Sequence, residues 1–307
     1  MENDPEEDKK TAKEREKART TPTKKKKSTT KKATTVKPGD VPKPPSKKFV
    51  YKKLVINFWR TRLHDEEIGV HQQLKYTAKT RWFSKNFDIE GNISIDGEKK
   101  CIIAFNKDQW EGPIEKKRLV CRYFTTMEET MDSKAKGGNF KGGIELSITH
   151  SLIQSFEIKH PAPVFYAQIP GVKVLVRFVR GWRFWGTRWT FPLLPEQKGD
   201  KLQMILCKGV VGPGRNYKLY LGKKLIARVD GHPIQKEYEI EIYDEDYAKD
   251  RTFVRYMILF GLACNFMDGA KKIVKRLFKK MKATGTTDYI PPKSEMDLFR
   301  NPRMMRR

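Results

Sequence analysis

Fifteen residues near the end of the chain, Phe253 to Met267, read FVRYMILFGLACNFM and carry one charged side chain, Arg255. A helix that is apolar on every side must be buried on every side. At about 1.5 Å per residue this one falls short of the ~20 residues that cross a bilayer core. From Phe49 to Tyr243 the chain reads as short strands with polar alternation and Gly-rich turns. The expected fold is therefore mainly β: a closed antiparallel β-barrel around a C-terminal hydrophobic helix.

The strand signals are local. FVYKKLVINFW, from Phe49, is aromatic and β-branched, and FDIEGNISIDGEKKCIIAF (87–105) alternates at period two around Asp96-Gly97, a two-residue hairpin signal. Further strands are expected at 117–124, 144–158, 164–169, 172–180, 183–191, 202–211, 216–221, 224–230 and 236–243, with KGGNFKGG (136–143) as a flexible loop. Asp250, or else Asp246, suits the N-cap of the apolar helix, and Gly269 suits its break. A second, basic amphipathic helix is expected over 270–282. There Ile273, Val274, Leu277, Phe278 and Met281 fall at helical spacing among Lys271, Lys272, Lys275, Arg276, Lys279, Lys280 and Lys282. The resulting organisation is a disordered Lys-rich arm (1–48), the barrel with its helix (49–269), the basic helix, and a disordered tail (283–307).

The order of these pieces resembles the tubby C-terminal-like superfamily, which includes tubby proteins, phospholipid scramblases and LURP-one-related proteins. The resemblance is best over 202–268. LQMILCKGVVG, NYKLYLGKKLIARVDG and KEYEIEIYDED read there as consecutive strands, followed by the helix MILFGLACNFMD. It is closest to the scramblase and LURP-one-related branch, and it implies a barrel closed around that helix. Two departures narrow its implications. Asp244-Glu245-Asp246 is too short for a calcium loop, and a lysine arm stands where scramblases have a Pro- and Cys-rich leader. Calcium-dependent lipid scrambling is not implied, whereas phosphoinositide binding through cationic side chains, as in tubby proteins, is compatible with this sequence.

Net charge is +27, from 64 Lys and Arg against 37 Asp and Glu. An excess of this size calls for a polyanionic partner: an anionic phospholipid membrane, nucleic acid or an acidic protein. Lys24, Lys25, Lys26, Lys27, Lys31 and Lys32 make the arm an electrostatic tether or a nuclear import signal. Cys101, Cys121, Cys207 and Cys264 lie in apolar patterns without a Cys-x-x-Cys pair, and no apolar signal core opens the chain. A cytoplasmic, peripheral-membrane or nuclear protein with reduced thiols is expected, rather than a secreted one.

VRFVRGWRFWGTRWTF (176–191) interleaves arginine with aromatic residues. Arg177, Arg180, Trp182, Arg183, Trp185, Arg188 and Trp189 are the candidate anion-binding residues. Guanidinium forks pair with phosphates, and indoles suit the headgroup layer or base stacking. If instead the aromatics face inward, the arginines cap a core. The basic helix has two readings as well: its apolar stripe lies in a membrane or partner groove, or it docks on the barrel.

Catalytic signals are weak. His64, His71, His150, His160 and His232 lack metal-ligand spacing, and no nucleophile elbow, phosphate-binding glycine loop or dinucleotide fingerprint is present. No cofactor or metal is expected. The leading expectation is a non-enzymatic protein that binds phosphoinositide or another anionic lipid. The alternative is a nucleic-acid-binding protein such as a coat, movement or chromatin factor.

Overall fold

The computed structural model describes residues 49–58, 88–114, 117–125, 140–172, 174–181, 186–193, 202–212, 214–232, 236–286, 289–292 and 295–296. Period-two alternation becomes twelve strands: β1 Lys52–Phe58, β2 Asp88–Ile95, β3 Glu98–Phe105, β4 Val120–Thr125, β5 Phe140–Ser147 and β6 Val164–Gln168, then β7 Val176–Gly181, β8 Arg188–Leu193, β9 Gln203–Gly209, β10 Tyr217–Leu221, β11 Lys224–Gly231 and β12 Glu237–Ile242. Each strand pairs antiparallel with its sequence neighbours. β1 closes the barrel against β12, running from Lys52↔Ile242 to Asn57↔Glu237. Closure leaves no unpaired strand edge.

Among the described residues four helices punctuate the sheet: α1 Lys107–Glu111, α2 Ile148–Glu157, α3 Glu245–Lys249 and α4 Arg251–Thr284. The Asp250 carboxylate caps α4, accepting from the N–H groups of Thr252 (2.7 Å) and Phe253 (3.2 Å). The first half of α4 fills the barrel, where Phe253, Met257, Leu259, Phe260 and Leu262 are fully buried. Phe260 meets the rings of Phe178, Phe191 and Tyr217 at 5.5–5.8 Å. At Gly261 the helix runs close to the wall: a Cβ there would stand 2.3 Å from Ile56 Cδ1 and 2.9 Å from Ile240 Cδ1, so the tips of these β1 and β12 side chains would have to shift.

Several expectations change. Gly269 does not break the helix; α4 runs 34 residues and stops at Gly285, whose φ of 72° is the left-handed C-cap conformation. Gly269 is where the indole of Trp110 lies against the helix, with Cζ2 2.6 Å from where a Cβ would stand. The strand expected over 144–158 ends at Ser147. Residues 148–157 coil into α2 because their buried set, Ile148, Ser151, Leu152 and Ser155, has helical rather than strand spacing. Ser147 caps that helix by accepting from His150 N–H at 3.2 Å. Phe140 to Gly143, expected in a loop, belong to β5. The arm 1–48 lies outside the described residues.

Candidate functional site

Strand direction sorts the connections to the two ends of the barrel. At one end α4 begins, beside α3 and the 96–97 and 222–223 turns; at the other, the mouth, it leaves. The mouth gathers α1, α2, the β7–β8 and β9–β10 connections and the outer half of α4.

Beyond Asp268, α4 divides cleanly. Ala270, Ile273, Val274, Leu277 and Phe278 are buried, while Lys271, Lys272, Lys275, Arg276, Lys279, Lys280 and Lys282 are exposed. α2 helps to cover the stripe, placing Phe156 edge-on to Phe278 at 4.9 Å between ring centres. Of the two readings of this segment, the stripe therefore docks on the chain's own barrel. What remains for a partner is a ridge of cations. Lys271, Lys272, Lys275, Arg276 and Lys279 form no ion pair among the described residues.

The arginine–aromatic segment is split by the sheet. Val176, Phe178 and Arg180 point into the barrel, as do Trp189 and Phe191. Trp189 is 2% exposed and packs on Phe165 at 5.8 Å, so it is core and not a ligand contact: its register turns it inward. Arg177 and Arg188 point outward on separate strands. Arg177 lies over the Tyr166 ring at 5.5 Å, and Arg188 pairs across the sheet with Lys208. Trp182, Arg183 and Trp185 lie outside the described residues.

Among the described residues of this segment, Arg180 reaches the mouth from inside, donating from Nη1 to the Pro161 carbonyl at 3.3 Å. Burial pushes its pKa down. Burial and the Arg180 guanidinium lower the pKa of Lys271, and burial together with Arg180, Lys271 and Lys275 lowers that of His160. Arg180 thus lies near Lys271, about 90 residues away in sequence, and both lie near His160 together with Lys275. Beside them α2 exposes Ile153 (47%) and Phe156 (41%), and the β9–β10 connection exposes Val211 (79%).

On the opposite flank of the ridge a cleft of about 980 Å³ opens between α4, α1 and the ends of β1, β3 and β12. Its floor is apolar: Phe266 meets Phe58, Phe105 and Trp110 edge-on at 5.2–5.6 Å. Lys107, Lys117, Arg215, Lys236, Lys272 and Arg276 line it, against the carboxylates of Glu90, Glu111 and Asp268. Arg215 is held in place by Tyr238 Oη (2.6 Å), the Cys264 carbonyl (2.8 Å) and Asp268 (2.7 Å). Only its position on α4 made any part of this cleft visible in sequence, through Lys272 and Arg276.

Sequence reading also missed a latch. Glu295, 3% exposed, accepts from Ser147 Oγ (2.6 Å) and Thr149 N–H (2.7 Å) at the start of α2, and from the Tyr289 hydroxyl. The segment expected as a disordered tail is therefore docked at Tyr289 and Glu295. Beside it, His150 Nδ1 lies 2.6 Å from Tyr166 Oη, and burial plus Arg177 lower the His150 pKa to about 4.

The acidic turn serves the fold. Asp244 caps α3 and pairs with Lys224; burial opposes its ionisation, but Lys224 and the Asp246 and Tyr247 N–H groups hold its pKa below the usual value. All four cysteines are buried and unpaired with one another, and burial raises the Cys121 and Cys264 thiol pKa values. Among the described residues, no group of three or more His, Cys, Asp or Glu is placed to hold a metal ion. No family model, no curated protein and no solved structure matches the chain.

Proposed function

We propose that this chain is a non-enzymatic, tubby-like binding protein whose barrel mouth docks on an anionic membrane, with phosphoinositide as the preferred lipid. One observation carries the reading: a cationic ridge, its apolar stripe already consumed internally, stands beside apolar tips at Ile153 and Phe156. Cations next to exposed apolar tips suit a headgroup layer over acyl chains. A nucleic-acid backbone gives those tips nothing to enter. Each Lys or Arg near an anionic leaflet contributes about 1 kcal/mol, so the ridge alone supports reversible attachment. Arg180 with Lys271 and Lys275 forms the part suited to one phosphorylated headgroup.

Peripheral attachment fits the rest of the molecule. No helix among the described residues is long and apolar enough to cross a membrane. The outer wall carries Lys53, Glu239, Arg228 and Asp230, where a membrane barrel has an apolar band.

Flotation of the full chain on liposomes tests this. Binding should be stronger to phosphoinositide vesicles than to phosphatidylserine vesicles of equal charge. Lys271→Glu with Lys275→Glu should remove that preference, and Ile153→Asp with Phe156→Asp should weaken binding to both. Binding that follows total charge alone, or no flotation, refutes the lipid reading and favours nucleic acid or an acidic protein as the partner.

A further inference from the structure

The cleft on the other flank of α4 combines three features that an open electrostatic surface does not need. It is concave and about 980 Å³, the upper end of the roughly 300–1,000 Å³ typical of small-molecule sites. Its floor is apolar, made by Phe58, Phe105 and Phe266 with Trp110 and Ile114 at its side. Its cations come from five separate pieces of chain: Lys107 on α1, Lys117 after it, Arg215 before β10, Lys236 before β12, and Lys272 and Arg276 on α4.

Two of the lining cations are already committed. Arg215 is fixed on Asp268 and Tyr238, and Lys117 donates to the Trp110 carbonyl at 2.6 Å while standing 5.7 Å over the indole. Lys107, Lys236, Lys272 and Arg276 form no ion pair among the described residues. Glu90, Glu111 and Asp268 also line the cleft, with Asp268 taken by Arg215, so its six cations outnumber its three carboxylates and the surplus favours an anion between them. We propose that this cleft binds one phosphate ester carried on an apolar body, a ligand of nucleotide size. Its phosphate contacts Lys107, Lys236, Lys272 and Arg276, and its body lies on the Phe58–Phe105–Trp110–Ile114 floor.

That chemistry has two sources, a free nucleotide and a phospholipid with its headgroup and first acyl carbons. Either is bound as a single molecule, so the site does not depend on docking to a bilayer. Phosphate affinity comes from charge-assisted hydrogen bonds, and selection over inorganic phosphate comes from burying the apolar body.

The test is calorimetric titration of the full chain with three probes: adenosine triphosphate, dioctanoyl phosphatidate below its micellar concentration, and inorganic pyrophosphate. Saturable one-to-one binding of one organic probe, at least about tenfold tighter than pyrophosphate, is expected, and the probe that binds identifies the source. Lys107→Ala with Lys236→Ala should weaken it at least about tenfold while leaving the vesicle preference of the Arg180 flank in place. Ile114→Ser, a half-buried site needing no refolding of the core, should weaken the organic probe and spare pyrophosphate; Lys223→Ala, at the far end, should change nothing. The proposal is overturned if neither organic probe saturates, if pyrophosphate binds as tightly, or if the Lys107 and Lys236 changes leave binding intact. Vesicle binding by the unmutated chain that follows total charge alone, with the organic probe still bound one-to-one, defeats only the membrane reading.

Discussion

The two ends of the barrel handle charge in opposite ways. Where α4 begins, cations and carboxylates answer one another: Lys224 with Asp244, Lys249 with Glu245 at 2.6 Å, Lys100 with Glu98 at 3.0 Å. Asp244 and Asp250 are spent as helix caps, and acidic groups near a helix N-terminus also complement its dipole. At the mouth, Lys107, Lys236, Lys271, Lys272, Lys275, Arg276 and Lys279 gather on a ridge and around a cleft with no ion pair among the described residues. The dipole accounts for some of them, since it favours cations at a helix C-terminus. It does not account for Lys107 or Lys236, which belong to other elements. One end is arranged for the fold and the other holds charge in excess of what the fold uses.

The core that both ends share should show the largest effect. Phe260→Ala removes a fully buried ring between the helix and the wall and should cost about 3–5 kcal/mol in urea unfolding. Loss of the latch at the mouth is next: Glu295→Ala leaves the Thr149 N–H and the Ser147 and Tyr289 hydroxyls without their acceptor, for about 1–3 kcal/mol. Limited proteolysis should then cut near Tyr289 sooner than in the parent. At the capped end, Asp250→Ala should cost about 0.5–2 kcal/mol through the lost N-cap, with no effect on vesicle binding.

Both ends carry an acid-sensitive group, Asp244 at the capped end and His150 at the mouth. His150 has a folded pKa near 4, below its ordinary value of 6.5, so the unfolded chain binds the extra proton first. Its stabilising contribution is complete above about pH 6.5 and declines as pH falls from there towards 4. Because the imidazole is only half-buried, the slope should stay well under the ~1.4 kcal/mol per pH unit of a full proton difference. His150→Gln should flatten that slope in unfolding curves between pH 4 and 6.5.

Smallest of all for stability is the ridge. Lys271→Glu with Lys275→Glu should move unfolding by no more than about 0.5 kcal/mol, since these side chains are exposed. It should also raise the His160 pKa, followed by NMR titration, because two of the cations that depress it are gone. A large loss of stability there would mean that the mouth is as structural as the capped end, and the contrast between them would fail.

Much of the barrel was legible because its signals are local. The alternation around Asp96-Gly97, the cap at Asp250 and the apolar run to Met267 each sit within a few residues of the structure they specify. Where local signals compete, the reading failed: Ser147 to Glu157 is β-branched and aromatic enough to pass for a strand, yet its buried residues fall at helical spacing. Gly269 looked like a stop because glycine usually is one, whereas here it makes room for Trp110 from a distant element.

By itself the sequence determined that a helix with no polar side had to be enclosed by strands, because apolar surface of that extent has nowhere else to go. It also determined that the chain would carry a large positive excess. Only the tertiary structure decided where that excess collects. Strand register sent Trp189 into the core, Arg180 to the mouth and Arg177 and Arg188 to the outer wall, although all four lie within thirteen positions. Closure of the barrel then brought Lys107, Lys236, Lys272 and Arg276 around one apolar floor, a proximity set by long-range pairing that no local pattern encodes.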